Sequence, residues 1–351
     1  MDPLHRKTPP QDPTARSDRT ANSCIPTAPP MSHRPYLAHI DSRIPHRDPA
    51  AYDRIVFILH DQLNRDVWGD LLDPTGRTLH VLAEAAQKGR EVRHHTHKAA
   101  FILSAMRHFA LDLEADGYPV AYLSTPGHFE DALADLLTTQ SATIQPANSQ
   151  SAHSRPTAQT ANTPPANTRS APAFHYMEPA EWDTRQRLAA FADTLGDRAT
   201  CHPNRFFLAD PAEWAPRISP GFRMETFYRD MRRRTGRLMD GAQPEGGRWN
   251  YDEDNRKPLP KGLAAPPVAA FPPDPVTQEV LDMLAAWFPD GLGGPDGFEL
   301  AVTRPQALQL AEEFMAQRLP LFGPYEDAMS HGRHTLFHSK LSIYLNAGLL
   351  L

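Results

Sequence analysis

Apolar residues gather in short continuous runs in the first half of the chain and at helical spacing in the second. Arg54–His60 reads Arg-Ile-Val-Phe-Ile-Leu-His, an unbroken apolar run between polar ends. That is the pattern of a strand buried on both faces of a parallel sheet. Leu79–Leu82, Val120–Leu123 and Phe174–Met177 are shorter runs of the same kind. Ile102, Ala105, Met106, Phe109 and Leu113 recur at three- and four-residue spacing, which predicts a helix over residues 95–115 with one buried face. Glu130–Leu137 and Glu181–Leu195 predict further helices. Strands alternating with helices imply an α/β doubly wound parallel sheet, whose ligand crevice lies beyond the carboxyl ends of the strands.

Strand patterns fade after residue 205. Arg223–Gly236 reads as a helix and is followed by a Gly/Pro-rich connector. Asp274–Phe288 predicts a helix with Val280, Leu281, Leu284 and Trp287 on its apolar side. Thr303 is placed to cap another, with Pro305 in its first turn and Leu308, Ala311 and Phe314 on one face. The expected layout is an α/β domain over 51–205, a connector over 206–270 and helices over 271–351.

Composition changes this picture at two places. The 36 prolines exceed what a folded core holds, and residues 1–50 and 138–172 carry many of them. The first reads as a disordered extension. The second is a Ser/Thr/Gln/Asn/Ala/Pro insertion with Ile144 as its one large aliphatic residue and Arg155 and Arg169 as its charges. No apolar run approaches the roughly 20 residues that span a bilayer, and no secretory signal is evident, so a cytoplasmic protein is expected; a monomer is expected as well. Cys24 and Cys201 are the two cysteines, too few for a four-cysteine metal or iron–sulfur site. A net charge of −6 argues against a generally basic nucleic-acid binder while leaving room for a local basic groove.

Several polar groups stand where chemistry would be placed. Asp61 and Gln62 follow the first strand and can accept from ribityl or ribose hydroxyls, or simply cap the next segment. No glycine-rich phosphate turn accompanies them. Glu84 ends the second strand, facing the same crevice or solvent. His94-His95-Thr96-His97-Lys98 lacks the spacing of a two-histidine zinc helix and reads as a polar helix start. Arg229, Arg232, Arg233, Arg234 and Arg237 form a positive helix that could meet a phosphodiester backbone, lie in solvent, or dock on acidic residues. Ser339 and Ser342, with Lys340 between them, could hold a diphosphate at a helix start or act as an ordinary cap.

Five stretches together carry a resemblance. They are Ile58-Leu59-His60-Asp61-Gln62-Leu63; His94-His95 with Lys98 to Phe109; Arg223 to Arg229; Gly246 to Asp252 with Asn255-Arg256; and Phe322 to Met329 leading to His338-Ser339-Lys340-Leu341-Ser342-Ile343-Tyr344-Leu345-Asn346-Ala347-Gly348. In this order they resemble the bacterial photolyase-related proteins. This branch of the photolyase/cryptochrome family pairs flavin with an iron–sulfur cluster and includes prokaryotic (6-4) photolyases. The last stretch is similar to the family's Ser/Thr-Ser-Arg-Leu-Ser-Pro-x-Leu-x-x-Gly segment.

The resemblance implies an antenna domain followed by an all-α flavin-binding domain, and a lyase that repairs ultraviolet-damaged DNA by light-driven electron transfer. It implies FAD, with Tyr325, Ser339, Lys340, Leu341 and Ser342 on the flavin side. It also implies a ribityl-lumazine antenna at Asp61, Gln62 and Glu84, and makes Arg232, Arg233 and Arg234 candidates for DNA contact. Three departures stand out: His60 replaces a Gly, Lys340 an Arg and Ile343 a Pro. In the family the cluster cysteines and the walls of the flavin pocket lie beyond the position of Leu351. The flavin domain is therefore expected to be incomplete and shortened at its C-terminus, with no ligands for the iron–sulfur cluster and impaired repair. A blue-light sensor of the cryptochrome type and a lumazine-binding module without catalysis are the alternatives.

Overall fold

A computed structural model describes residues 36–138 and 170–351. The first 35 residues and most of the 138–172 insertion lie outside the described residues. Five parallel strands form the centre, β1 (Arg54–Phe57), β2 (Thr78–Ala85), β3 (Val120–Thr125), β4 (Ala173–Met177) and β5 (Ala199–His202), in the order β3-β2-β1-β4-β5. Strand order reverses at β1, which pairs with both β2 and β4. The doubly wound sheet expected from the alternation is present.

The continuous apolar run of β1 has a direct cause. Ile55 and Phe57 pack into one core cluster, with Leu79, Phe174 and Phe191. Val56 and Ile58 pack into the other, with Leu82, Phe101 and Phe109. A central parallel strand is covered on both faces, so neither parity can be polar. β5 escaped the sequence reading because Ala-Thr-Cys-His carries no large aliphatic residue. It is an edge strand with two exposed positions.

Helices α1 (Ala38–Asp41) and α2 (Ala86–Glu91) are short. Helix α3 (Thr96–Ala115) covers one sheet face, while α4 (Phe129–Thr138) and α5 (Trp182–Leu195) cover the other. After β5 come α6 (Pro211–Trp214), α7 (Met224–Thr235), a two-stranded ribbon β6–β7 (Met239–Asp240 and Gln243–Pro244), α8 (Pro275–Trp287), α9 (Arg304–Glu313), α10 (Leu319–Phe322) and α11 (Ser342–Asn346). Thr303 caps α9 in a capping box with Gln306. The buried face of α9 is Ala307 and Leu310, and Leu308 points outward, one position off the expected stripe.

Two findings shift the expected boundaries. Leu37, Ile40 and Ile44 are buried in the main core, so ordered structure begins well before residue 51. Helix α8 packs its Val280, Leu281, Leu284 and Trp287 into the same core as α3. The sheet layer and the helices after residue 271 therefore share one apolar interior.

Candidate functional site

The turn after β1 lies at the strand-order reversal, where an open α/β sheet offers its crevice. Gln62 lies in this turn and is fully buried. Its Oε1 accepts from Leu59 N at 3.3 Å, and its Nε2 donates to the carbonyls of Met177 and Glu178 at 3.3 and 3.4 Å. The side chain thus ties the ends of β1 and β4 together. Asp61 beside it is half-buried, and its Oδ1 is withdrawn from water with no hydrogen-bond partner among the described residues.

Cationic groups surround this crest. Burial pushes the His60 imidazole below its ordinary pKa, with Lys88 and Lys98 adding to the effect and Asp61 opposing it. Lys88, on α2, donates to Thr184 Oγ1 at 2.8 Å and pairs with Glu181. Its own pKa is lowered, chiefly by burial. Neither His60 nor Lys88 was singled out as a site residue from the sequence. The signal available was position, since both follow strands that end at the crevice.

The ladder parity of β2 places Glu84 differently from the sequence reading. His80, Leu82 and Glu84 share the face covered by α3. The Glu84 carboxylate is fully buried beneath that helix. Arg107 donates to it through Nη2 at 2.9 Å and Nε at 3.2 Å, and Tyr122 Oη donates at 3.0 Å. Burial, followed by Glu84, raises the Tyr122 phenol well above its usual range. Arg107 also reaches Glu279 of α8 at 3.3 Å. An arginine on the apolar face of α3 is the sequence signal of such a pair, because a buried guanidinium demands a carboxylate.

The histidine run before α3 joins two parts of the molecule. His95 Nδ1 accepts from His97 N and caps α3, which requires that nitrogen to carry no proton. Thr96 N donates to Leu292 O at 2.8 Å, and Thr96 Oγ1 reaches the carbonyls of Leu292 and Gly293. His97 Nε2 lies 3.1 Å from Asp296 O.

The terminal segment touches the crest from the other side. Leu63 N donates to Ala347 O at 3.2 Å. A Cβ on Gly348, at φ +75°, would lie 2.8 Å from the Asp61 carbonyl oxygen and 2.6 Å from Phe206 Cε1. Upstream, Tyr325 is half-buried with its ring 5.7 Å from that of Phe337. Ser339 Oγ accepts from Leu341 N at 3.3 Å. Lys340 takes φ +57°, a left-handed conformation uncommon outside glycine. Leu341 is the N-cap residue of α11, whose start has no side-chain cap, and Ser342 is exposed. Asp61 and Gln62 thus share a neighbourhood with the Ala347–Gly348 turn.

The arginines of α7 form a separate assembly. Arg232 is buried and donates to the carbonyls of Leu238 and Trp249. Arg234 makes a two-bond pair with Glu213 at 2.9 and 3.0 Å. Arg233 stacks on Trp249, 4.7 Å from the ring centroid, and reaches Asp230 at 3.4 Å, with half its side chain exposed. Of the three it is the most accessible. Among the described residues no group of three or more His, Cys, Asp or Glu is placed to hold a metal ion. No helix among them is long and apolar enough to cross a membrane.

Comparison with known proteins gives two findings. The profile of the family described as "Deoxyribodipyrimidine photo-lyase-related protein" matches residues 56–155 and 134–300. A protein of Agrobacterium fabrum (strain C58 / ATCC 33970) named "(6-4) photolyase" is 37% identical over 310 residues, covering 85% of this chain. The chain spans 54% of that relative's length.

Proposed function

This chain belongs to the family of deoxyribodipyrimidine photo-lyase-related proteins, and from that premise we propose that it serves light-driven repair of ultraviolet-damaged DNA. The sheet crest would receive a ribityl-lumazine-type antenna, and the helices after residue 271 would form part of a flavin-binding domain. The lesion class is taken from the Agrobacterium relative's name.

One observation carries the reading of the crest. The orphaned Oδ1 of Asp61 is an acceptor out of reach of water, and a buried acceptor without a donor costs about 1–3 kcal/mol. A ribityl hydroxyl would supply that donor. Lys88 near it, and Lys98 near the adjoining His60, suit the electron-rich oxygens of a lumazine ring. Glu84 would act on such a ligand through Arg107 and Tyr122, which already occupy its oxygens.

The terminal segment fits a phosphate in kind. The start of α11 lacks a side-chain cap, Ser342 stands free in solvent, and Lys340 supplies charge from a strained backbone. Ser339, Leu341 and Ser342 would hold the phosphate, and Tyr325 would approach the cofactor from upstream. Bound reduced FAD would supply the electron that light sends to the lesion. The chain's own part is to position the cofactor and exclude water. Arg233 supports DNA contact best of the three arginines, because about half of its side chain is exposed.

The test is a paired assay on the purified chain. Reconstituted with reduced FAD and ribityl-lumazine, it should restore a (6-4) lesion in an oligonucleotide under blue light, more slowly than the Agrobacterium relative, and not in the dark. Equal conversion in light and dark would sink the repair reading, as would none in either. A saturable shift of the lumazine absorption band, lost in Asp61→Ala, tests the crest separately.

A further inference from the structure

Away from the crest, the segments 255–263 and 323–333 enclose a pocket of about 570 Å³ whose charge is opposite to that of the chain. Arg256, Lys257, Lys261 and Arg333 line it, with Asp327 as the one carboxylate among the lining residues. All of these cations are exposed. In a chain of net charge −6 such a concentration is local, and a concave patch of one sign draws in ions of the other.

Main-chain bonds fix the two walls. Lys257 N donates to Pro324 O at 3.1 Å and Asp327 N donates to Asn255 O at 3.2 Å, so the backbones are joined on both sides of Arg256. Arg256 Nε donates to Asp327 Oδ2 at 3.0 Å, and Arg333 Nη1 donates to the Leu263 carbonyl. Pro258 and Pro260, with φ locked by their rings, stiffen the stretch that carries Lys257 at one end and Lys261 at the other. The fold therefore sets the backbone positions of the cations before any ligand arrives, which lowers the ordering cost of binding.

The balance of charge selects the ligand. Asp327 answers Arg256. Neither Lys257 nor Lys261 has a side-chain hydrogen-bond or ion-pair partner among the described residues. Arg333 commits one donor to a carbonyl, which leaves its charge unanswered. A single carboxylate would neutralise only one of Lys257, Lys261 and Arg333. Linked phosphates bring a negative charge for each, with enough acceptor oxygens to meet several N–H donors at once.

We propose that this pocket is a site for two or more linked phosphates, and that in the repair complex those phosphates belong to the DNA backbone. DNA as their source rests on the repair reading; affinity for linked phosphates does not.

Two ligands test the pocket on the full chain: pyrophosphate, followed by calorimetry, and a fluorescein-labelled DNA duplex without lesions, followed by anisotropy in the dark. Lys257→Glu with Lys261→Glu should abolish saturable pyrophosphate binding and weaken duplex binding about tenfold or more. The log–log salt slope should fall by about 1.8, which is about 0.9 for each of two phosphates. Arg43→Glu with Arg198→Glu makes the same charge change at exposed positions outside the pocket. It should leave pyrophosphate binding intact and lose far less duplex affinity. Both double variants should keep the wild-type melting temperature, and Lys257→Gln with Lys261→Gln serves if charge reversal disturbs the fold. Pyrophosphate binding lost in the pocket variant, with duplex binding unchanged or absent, keeps the phosphate site and overturns DNA as its source. A loss confined to the duplex assigns the pocket to the DNA backbone alone. Equal losses in the two double variants, or unchanged or absent binding of both ligands, overturn the pocket. Neither lesion nor light enters these measurements, so failure of photochemical repair is distinguishable from failure of the site.

Discussion

Arg107 and Glu84 meet in an ion pair with neither side chain in contact with water, Nη2 to Oε1 at 2.9 Å. Removing Glu84 leaves the Arg107 charge buried with only the 3.3 Å contact to Glu279 to answer it. Glu84→Ala should therefore lower stability by about 3–5 kcal/mol, read from denaturant unfolding. Replacing both together, Glu84→Leu with Arg107→Met, should recover most of that loss. The double variant also separates two roles. A stable double variant that no longer binds lumazine would assign the pair to the ligand, whereas unchanged affinity would leave it a scaffold.

Gly348 is the second place where structure predicts a sharp effect. Its φ of +75° is strained for any other residue, and an added Cβ would approach Leu63 N to 3.0 Å as well as the Asp61 carbonyl. Gly348→Ala should cost about 1–3 kcal/mol through strain and overpacking. Because the displaced backbone carries Asp61, lumazine affinity should fall although no proposed ligand group has changed. Full retention of both stability and affinity would show that the turn yields freely.

Stability should also depend on pH in a defined direction. Burial lowers the pKa values of His60 and His80 from the ordinary 6.5. The unfolded chain therefore takes up these protons at a higher pH than the folded one. Their contribution is complete above pH 6.5 and is lost as pH falls from there toward the folded-state values. Urea midpoints compared at about pH 7.5 and 5.5 should drop on acidification, and His80→Gln should flatten the slope. A rise on acidification would reverse the sign and refute the assignment.

How much of this was legible in the sequence depends on which partner decided each feature. The central strands were readable because Ile55, Val56, Phe57 and Ile58 must all be apolar when both sheet faces are covered. The α9 start was readable because Thr303 and Gln306 make a local, two-residue device. Glu84 was left open between crevice and solvent, because its burial depends on Arg107, a partner that α3 brings in from outside the strand. The α7 arginines were open to three readings, because Glu213, Leu238 and Trp249, which hold Arg234 and Arg232, come from separate elements. Spacing along a helix does not reveal partners brought in by tertiary folding.

That division among the arginines is testable. Arg232→Glu should destabilise the fold, because it reverses a buried donor that serves two carbonyls. Arg233→Glu should leave the melting temperature near wild type and weaken DNA binding. Its log–log salt slope should fall by about 0.9 for each phosphate that Arg233 neutralises in the wild type. Equal DNA binding by wild type and Arg233→Glu would return the cluster to a purely architectural role.

The segment preceding β1 sets a practical limit on dissecting the molecule. Tyr36 offers its carbonyl to Arg107 at 2.7 Å, Ala38 N donates to Glu279 at 2.7 Å, and Arg47 clasps Glu114 and the Val120 carbonyl. A polypeptide started at residue 51, where the apolar pattern first suggests a fold, would sever all of these. It would also open the socket of Ile40 to solvent and loosen the junction between sheet and α8. Fragments meant to isolate the sheet should retain Tyr36 onward, or their instability will be misread as a property of the strands.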